Sequence, residues 1–370
     1  MKKITLAITV FCLFLAAVAC GVETGPSGGG KGGDGGPGAE TLPSEPAAGG
    51  VVNVYNWGEY IERSIFEMFR EETGITVNYF EYQSNEEMYS LLSLGGTNVD
   101  VIIPSDYMIS RLIEENMLEK LDFSNIPNYS LIDPRYKNLE YDPDGAYSVA
   151  YMTGTVGLIY NSAKITDDVT GWGSLFEPAY AGQILMFDNS RDAFGIALKY
   201  LGYYQNTTDE IEIREAYDLL VGQKPLLQAY VMDQIFDKLE AGEAWIGPYY
   251  AGDYLIMREG NPDLAFVRPS EGSNHFVDAM CIPKAAKNKT NAELFINFMC
   301  DTDVALLNME EVFYASANYE AAEIFAEDMD PDDYEIMFAS DETLANCDVF
   351  TNLPRGILEL YNDLWVELKR

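Results

Sequence analysis

The residues that could do chemistry in this chain are few. His275 is the sole histidine among 370 residues, and outside the first twenty the thiols are Cys281, Cys300 and Cys347. Without CxxC spacing or further histidines they cannot assemble the common kind of zinc site, and a histidine base would lack a partner histidine. Neither a phosphate-cradling GxxxxGK[ST] nor a GxSxG nucleophile turn occurs. Asp328, Asp330, Asp332 and Asp333 crowd one segment, but the glycine and closing glutamate of a calcium loop are missing, so a solvated acidic turn is expected there. No metal and no other cofactor is expected. What remains is a pairing of rings with acids and hydroxyls, in Trp57-Gly58-Glu59-Tyr60 and in Pro104-Ser105-Asp106-Tyr107. Asp192 and Asp278 are the pair a glycosidase would use, which in a retaining enzyme needs about 5–5.5 Å between carboxyls beside an open sugar cleft. Nothing else in the sequence asks for catalysis.

Both ring-and-acid clusters follow segments that read as strands. Val51 to Tyr55 is β-branched and runs into Asn56-Trp57-Gly58; apolar residues from Ile61 to Phe69 then recur at helical spacing, and Thr73-Gly74 closes the helix. Ile75 to Phe80 reads as a strand, Glu86 to Leu94 as a helix, Val99 to Ile103 as a strand and Ile109 to Met117 as a helix. Strands alternating with helices of this length predict parallel pairing with right-handed crossovers, hence a doubly wound α/β lobe whose site lies at the carboxyl ends of strands. That rule selects the loops after the first and third strands. Further on, Gly157 to Tyr160, Ile184 to Phe187, Ala244 to Ile246 and Ala265 to Val267 read as strands, and Arg191 to Leu201 and Asn291 to Met299 as helices. Phe276 to Ile282 reads as a strand that returns the chain to the first lobe. Two or more crossings make a hinge, with the cleft between lobes as the site. Asp142-Pro143-Asp144-Gly145 is a turn signal.

The N-terminus sets the compartment. Lys2 and Lys3 precede an apolar run from Ile4 to Ala19 that stops at Cys20, too short for a membrane span and patterned as a secretory signal. Residues 21–50 are mostly Gly, Pro, Ser, Glu and Ala, without apolar periodicity, and read as a flexible tether. The remaining 320 or so residues suit two lobes. Sixty acids face 23 Lys plus Arg, a formal charge of −37 at pH 7. Such a surface disfavours nucleic acid and draws cations at long range, screened over about 8 Å in physiological salt. Cys281 and Cys300 lie in apolar stretches and read as buried free thiols.

The N-terminal segment resembles a bacterial lipoprotein signal, with Cys20 as the lipidated residue and Ala17 where a larger aliphatic is usual. From Val51 to Arg370 the chain resembles the spermidine/putrescine-binding proteins of ABC importers. The stretches that carry the likeness are Tyr55-Asn56-Trp57-Gly58-Glu59-Tyr60, Glu71-Glu72-Thr73-Gly74-Ile75, Ser84-Asn85-Glu86, Ile102-Ile103-Pro104-Ser105 and Ile282-Pro283-Lys284-Ala285-Ala286-Lys287-Asn288-Lys289. Each is a weak signal alone; their collinear order is strong. The resemblance implies a two-lobed fold of the periplasmic-binding-protein kind (type II-like), with lobe 1 from 51–155 plus 277–322 and lobe 2 from 156–276 plus 323–370. It implies no enzymatic activity, a monomer, a polyamine ligand, permease subunits as partners, and a lipid anchor at Cys20 that holds the chain outside the cytoplasm.

A protonated polyamine is a methylene chain punctuated by ammonium groups, so it needs ring faces and carboxylates. By the resemblance, the rings are Trp57, Tyr60, Tyr107, Tyr250, Phe276 and Tyr314. The acids are Asp192, Asp253 and Asp278, with hydrogen bonds added by Ser105 and Glu59. Spermidine-type members carry aspartate where Asn189 stands, tryptophan at Phe276 and glutamine at Thr351. Tyr250 replaces a tryptophan of both branches, while Asp253 matches the putrescine-type branch. The ligand's length thus stays open among putrescine, agmatine and spermidine, and a different small cation or an amino-acid-like ligand is the alternative.

Overall fold

The computed structural model describes residues 49–370 apart from 96–97 and 328. The signal segment, Cys20 and nearly all of the tether lie outside the described residues. Strand β1 (Gly50–Trp57), helix α1 (Ile65–Thr73) and strand β2 (Ile75–Tyr82) form the first β-α-β unit. Helix α1 stops at Gly74, whose φ of 73° only glycine adopts without strain and whose N–H reaches the Arg70 carbonyl. Helix α2 (Asn85–Ser93) starts where the Ser84 hydroxyl accepts the Glu87 N–H, and strand β3 (Val101–Ile102) leads into helix α3 (Asp106–Glu114). Strand β1 lies between β2 and β3 and is parallel to both, as the alternating pattern requires.

The middle of the molecule adds antiparallel pairing that the alternating pattern does not specify. Strand β4 (Ser148–Asn161) is 14 residues long, where the sequence pattern marked only Gly157 to Tyr160. Its first half, Ser148 to Thr155, runs antiparallel to β9 (Ser273–Cys281). Its second half pairs antiparallel with β7 (Ile246–Tyr250) and β8 (Leu264–Val267). Parallel pairing resumes between β5 (Ile184–Phe187) and its neighbours β6 (Leu227–Val231) and β7. The strand order is β2-β1-β3-β9-β4-β7-β5-β6, so two parallel lobes are joined through an antiparallel β4–β9 ribbon. Strand β9 does return the chain to the first lobe, where Cys281 pairs with Ile102 of β3. Strand β7 begins where the pattern ended it: Pro248, which cannot donate to a ladder, sits within it opposite Leu158.

Helices α4 (Ser190–Tyr200), α5 (Glu210–Gln223), α6 (Ile235–Glu240) and α7 (Ala251–Gly260) follow β5 in the chain, and α8 (Lys289–Met299) and α9 (Thr302–Val312) follow β9. Some of the matched stretches are structural. Asp100, fully buried, accepts bonds from Asn53 of β1 and from the Lys287 and Asn288 N–H groups, tying the segment after β9 onto the first strand. Asp142 gathers the N–H groups of Ala146, Tyr147 and Ser148, which makes the expected turn a preface to β4. The acidic segment near Asp330 is a helix rather than a turn: Asp330 caps residues 331–337, and Asp333 pairs with Arg258 at 2.7 Å. Cys281 and Cys300 are buried free thiols, and Cys347 is a half-buried one. Among the described residues no helix is long and apolar enough to cross a membrane.

Candidate functional site

Strand ends bring the chemistry together. At the end of β1 the Trp57 ring is fixed by its Nε1–H, which donates to the Ile103 carbonyl at 2.9 Å, and by packing on Tyr82 at 4.7 Å. Gly58 and Glu59 then turn the chain, with Glu59 at a φ of 48°, a left-handed conformation that costs a non-glycine residue about 1 kcal/mol. After β3, Ser105 and Tyr107 open helix α3. Asn85 Nδ2 donates to both their hydroxyls at 3.2 Å, and the Tyr107 hydroxyl donates to Glu86 at 2.9 Å. Strand β9 delivers Phe276 and Asp278 on one side of its pleat, and Ser105 bridges to Asp278.

The other wall comes from elements after β5. Asp192 lies in the first turn of α4, Tyr250 ends β7, and Asp253 lies in the first turn of α7. Tyr314 follows Phe313, which closes α9 at a φ of 53°. Its hydroxyl donates to Asp253 at 2.7 Å. This approach needs Gly252: a Cβ there would sit 2.5 Å from the Phe313 carbonyl oxygen and 2.7 Å from the Tyr314 ring. Gly252→Ala is therefore expected to cost roughly 1–3 kcal/mol of stability, the overpacking range, and to weaken ligand binding through Tyr314. Thermal unfolding with and without ligand checks both.

All eleven residues expected from the sequence, Trp57, Glu59, Tyr60, Ser105, Tyr107, Asp192, Tyr250, Asp253, Phe276, Asp278 and Tyr314, line one cavity of about 760 Å³, its mouth included. The rings interlock edge to face, with Tyr60 to Tyr314 at 5.2 Å and Tyr250 to Phe276 at 5.4 Å. Thr351 is not on the wall; its carbonyl accepts from Arg191, and Phe350 lines the cavity instead. The sequence pattern passed over Asn85, Met232, Asp233, Phe236 and Tyr249, which also line it.

Three carboxyl groups face this space from buried positions. Asp192, Asp253 and Asp278 are 7%, 8% and 4% exposed, and among the described residues none takes part in an ion pair. Their polar partners are neutral. Asp192 accepts from the Asn189 amide at 2.7 Å, Asp253 from Tyr314, and Asp278 from the Tyr60 hydroxyl at 2.9 Å, while Asp278 Oδ1 is buried without a hydrogen bond. Burial is the main cause that pushes their pKa values up to about 7, 8 and 7. For Asp192 the charges of Glu86 and Asp278 add to the rise while Arg191 opposes it. Asp106, beside them, is pushed to about 8 by burial, although the Tyr107 and Val277 N–H groups pull it back. No lysine, arginine or histidine lies among the residues lining the cavity. Arg191 turns away, held by the Thr351 carbonyl and by Asn206 at 2.9 Å and packed over the Phe350 ring at 4.7 Å. Unpaired acids in a buried, ring-walled slot are costly unless a cation arrives to meet them.

Similarity to known proteins agrees with this geometry. The family described as bacterial extracellular solute-binding proteins matches residues 64–345. A spermidine/putrescine-binding periplasmic protein of Escherichia coli is 33% identical over 317 residues, 85% of this chain and 90% of that one. The chain belongs to the bacterial extracellular solute-binding proteins. That is a family of transport components and not of enzymes. A solved structure described as a spermidine/putrescine ABC transporter from Listeria monocytogenes superposes with a TM-score of 0.81 at 38% identity, covering 86% of this chain and 98% of that one. A lipoprotein of Treponema pallidum gives a TM-score of 0.76 at 28% identity, covering 86% and 99%. These likenesses place the solute-binding protein's two-lobed α/β architecture beyond its sheet order alone.

Proposed function

We propose that this solute-binding protein is the substrate-binding component of an ABC importer and takes a polyamine, putrescine or spermidine, into the cleft between its lobes. The observation that carries the reading is the trio Asp192, Asp253 and Asp278, buried in one ring-walled cavity with no protein cation opposite them. Trp57, Tyr60, Tyr107, Tyr250, Phe276 and Tyr314 would flank the methylenes, and Ser105 and Glu59 would add hydrogen bonds at the two strand-end loops. The relatives' names support the ligand class.

The lobes comprise 51–155 plus 277–322 and 156–276 plus 323–370, and the ligand bridges them, which favours the closed form that the permease subunits recognise. The protein binds without chemistry and works as a monomer. Its signal segment is cut off before Cys20, and lipid on the retained Cys20 with the tether of residues 21–50 holds it on the outer side of the cytoplasmic membrane.

An amino-acid-like ligand fits less well, because its carboxylate would face an acidic wall that lacks a basic side chain. Calorimetric titration with putrescine, spermidine, agmatine and a panel of amino acids tests the choice. Micromolar or tighter binding of an amine, with no heat from zwitterions, is the expected result. Heat from amino acids alone would overturn it.

A further inference from the structure

Asp233 stands at the rim of the cleft, in the loop between β6 and α6, and none of the signals in the sequence pointed to it. Its carboxylate lines the same cavity. Tyr249 donates to Oδ1 at 3.0 Å from behind, and Gln83, from the loop between β2 and α2 of the opposite lobe, donates to Oδ2 at 3.2 Å. Both partners are neutral, and among the described residues no ion pair includes Asp233. The chain facing it is Gly58, where a Cβ would come within 2.6 Å of Oδ2. The glycine therefore keeps open the approach to this carboxylate from the first lobe.

The acids of the cleft fall into two groups. Asp192 and Asp278 sit at one end, where Asp192 feels the charges of Glu86 and Asp278. Asp253 sits at the other, and the charges it feels are those of Asp233 and Glu59. The rings of Tyr250, Phe276 and Tyr314 lie between. A diamine brings one ammonium to each end. Asp253, the more deeply buried acid of its end, takes the second of them, and the rim carboxylate stays without a cation.

We infer that Asp233 is a specificity-determining residue, whose rim carboxylate meets a third ammonium and makes this cleft favour a triamine over a diamine. The inference rests on the polyamine reading above and narrows it. A competing role is also written in the geometry, since the Gln83 to Asp233 bond joins the two lobes and could act on any ligand by holding them together.

The test measures the affinities of putrescine and spermidine for the native protein, Asp233→Asn and Gln83→Ala by calorimetry in one buffer. The native protein is expected to prefer spermidine. Asp233→Asn should shrink that preference by roughly 10- to 100-fold, the range of one charge-assisted hydrogen bond, because spermidine loses a partner that putrescine never had. Gln83→Ala should move both affinities together and leave their ratio within about twofold, since a bond between lobes is blind to ligand length. An unchanged ratio in Asp233→Asn, with both amines still bound, would overturn the inference and leave the polyamine reading intact. A ratio lost equally in Gln83→Ala would assign the effect to the interlobe bond and overturn it as well. A native protein that binds neither amine removes the underlying reading instead, and the inference with it.

Discussion

Asp278→Asn is expected to lower amine affinity on the order of 100- to 1,000-fold, while the ligand-free protein becomes more stable. Asp278 sits on β9 within the ribbon that joins the lobes, 4% exposed, with one oxygen bonded to Tyr60 and the other without a hydrogen bond. In the complex it forms a buried ion pair, and removing one partner of such a pair costs roughly 3–5 kcal/mol. Without ligand the same carboxyl is costly to bury, either ionised or holding a proton it would lose in water, so an isosteric amide relieves the fold by on the order of 1–3 kcal/mol. Calorimetric titration gives the first effect and thermal unfolding of the ligand-free variant the second. A variant that binds normally, or one that loses binding and stability together, would contradict the assignment, because the second pattern is that of a residue needed only for packing.

The second large effect is on pH. Burial raises the pKa values of Asp192, Asp253 and Asp278 from 3.8 to about 7, 8 and 7. Between about pH 4 and 8 the folded, ligand-free protein therefore holds protons that the unfolded chain has released. Stability must fall as pH rises through that window, by up to about 1.4 kcal/mol per pH unit for each proton retained. The stabilising contribution is complete below the unfolded value and gone above the folded values. A bound polycation reverses the balance by favouring the ionised acids. Amine affinity should accordingly rise from pH 5.5 to pH 8, with protons released on binding, and the ligand-induced gain in melting temperature should grow over the same range. Titrations in buffers of different ionisation enthalpy count the protons. Affinity independent of pH would mean that the three acids do not face the ligand.

The first lobe was legible because local and global preferences agree there: β-branched strands, capped helices and loops at strand ends all point to one topology. Elsewhere the site itself obscured the pattern. Only Gly157 to Tyr160 of β4 were marked, and the unmarked first part holds Gly154, where a glycine weakens the strand signal. A Cβ at Gly154 would lie 2.8 Å from the Phe276 ring and 3.2 Å from that of Tyr314, so the break in propensity makes room for the cavity wall. Strand β6, Leu-Gln-Ala-Tyr-Val, carries Gln228 and Ala229 and is mostly half-buried, so it lacked the apolar run that marked β1 and β5. Missing it hid the loop that holds Met232, Asp233 and the start of α6, although the same strand-end rule applies there. Asn85 stood within a matched stretch, yet its task of orienting the Ser105 and Tyr107 hydroxyls depends on α2 packing beside α3, which no local spacing encodes.

The β4–β9 ribbon has a mechanical consequence. Seven residues of one strand are laced to the other by hydrogen bonds that lie across the strand direction, so sliding one past the other would break the lacing, whereas flexing the pair out of its plane would not. The ribbon is a leaf spring with one soft direction. Phe276 and Asp278 ride on the spring itself, so any flexing of the pair acts directly on the cavity wall that carries the unpaired carboxylate oxygen.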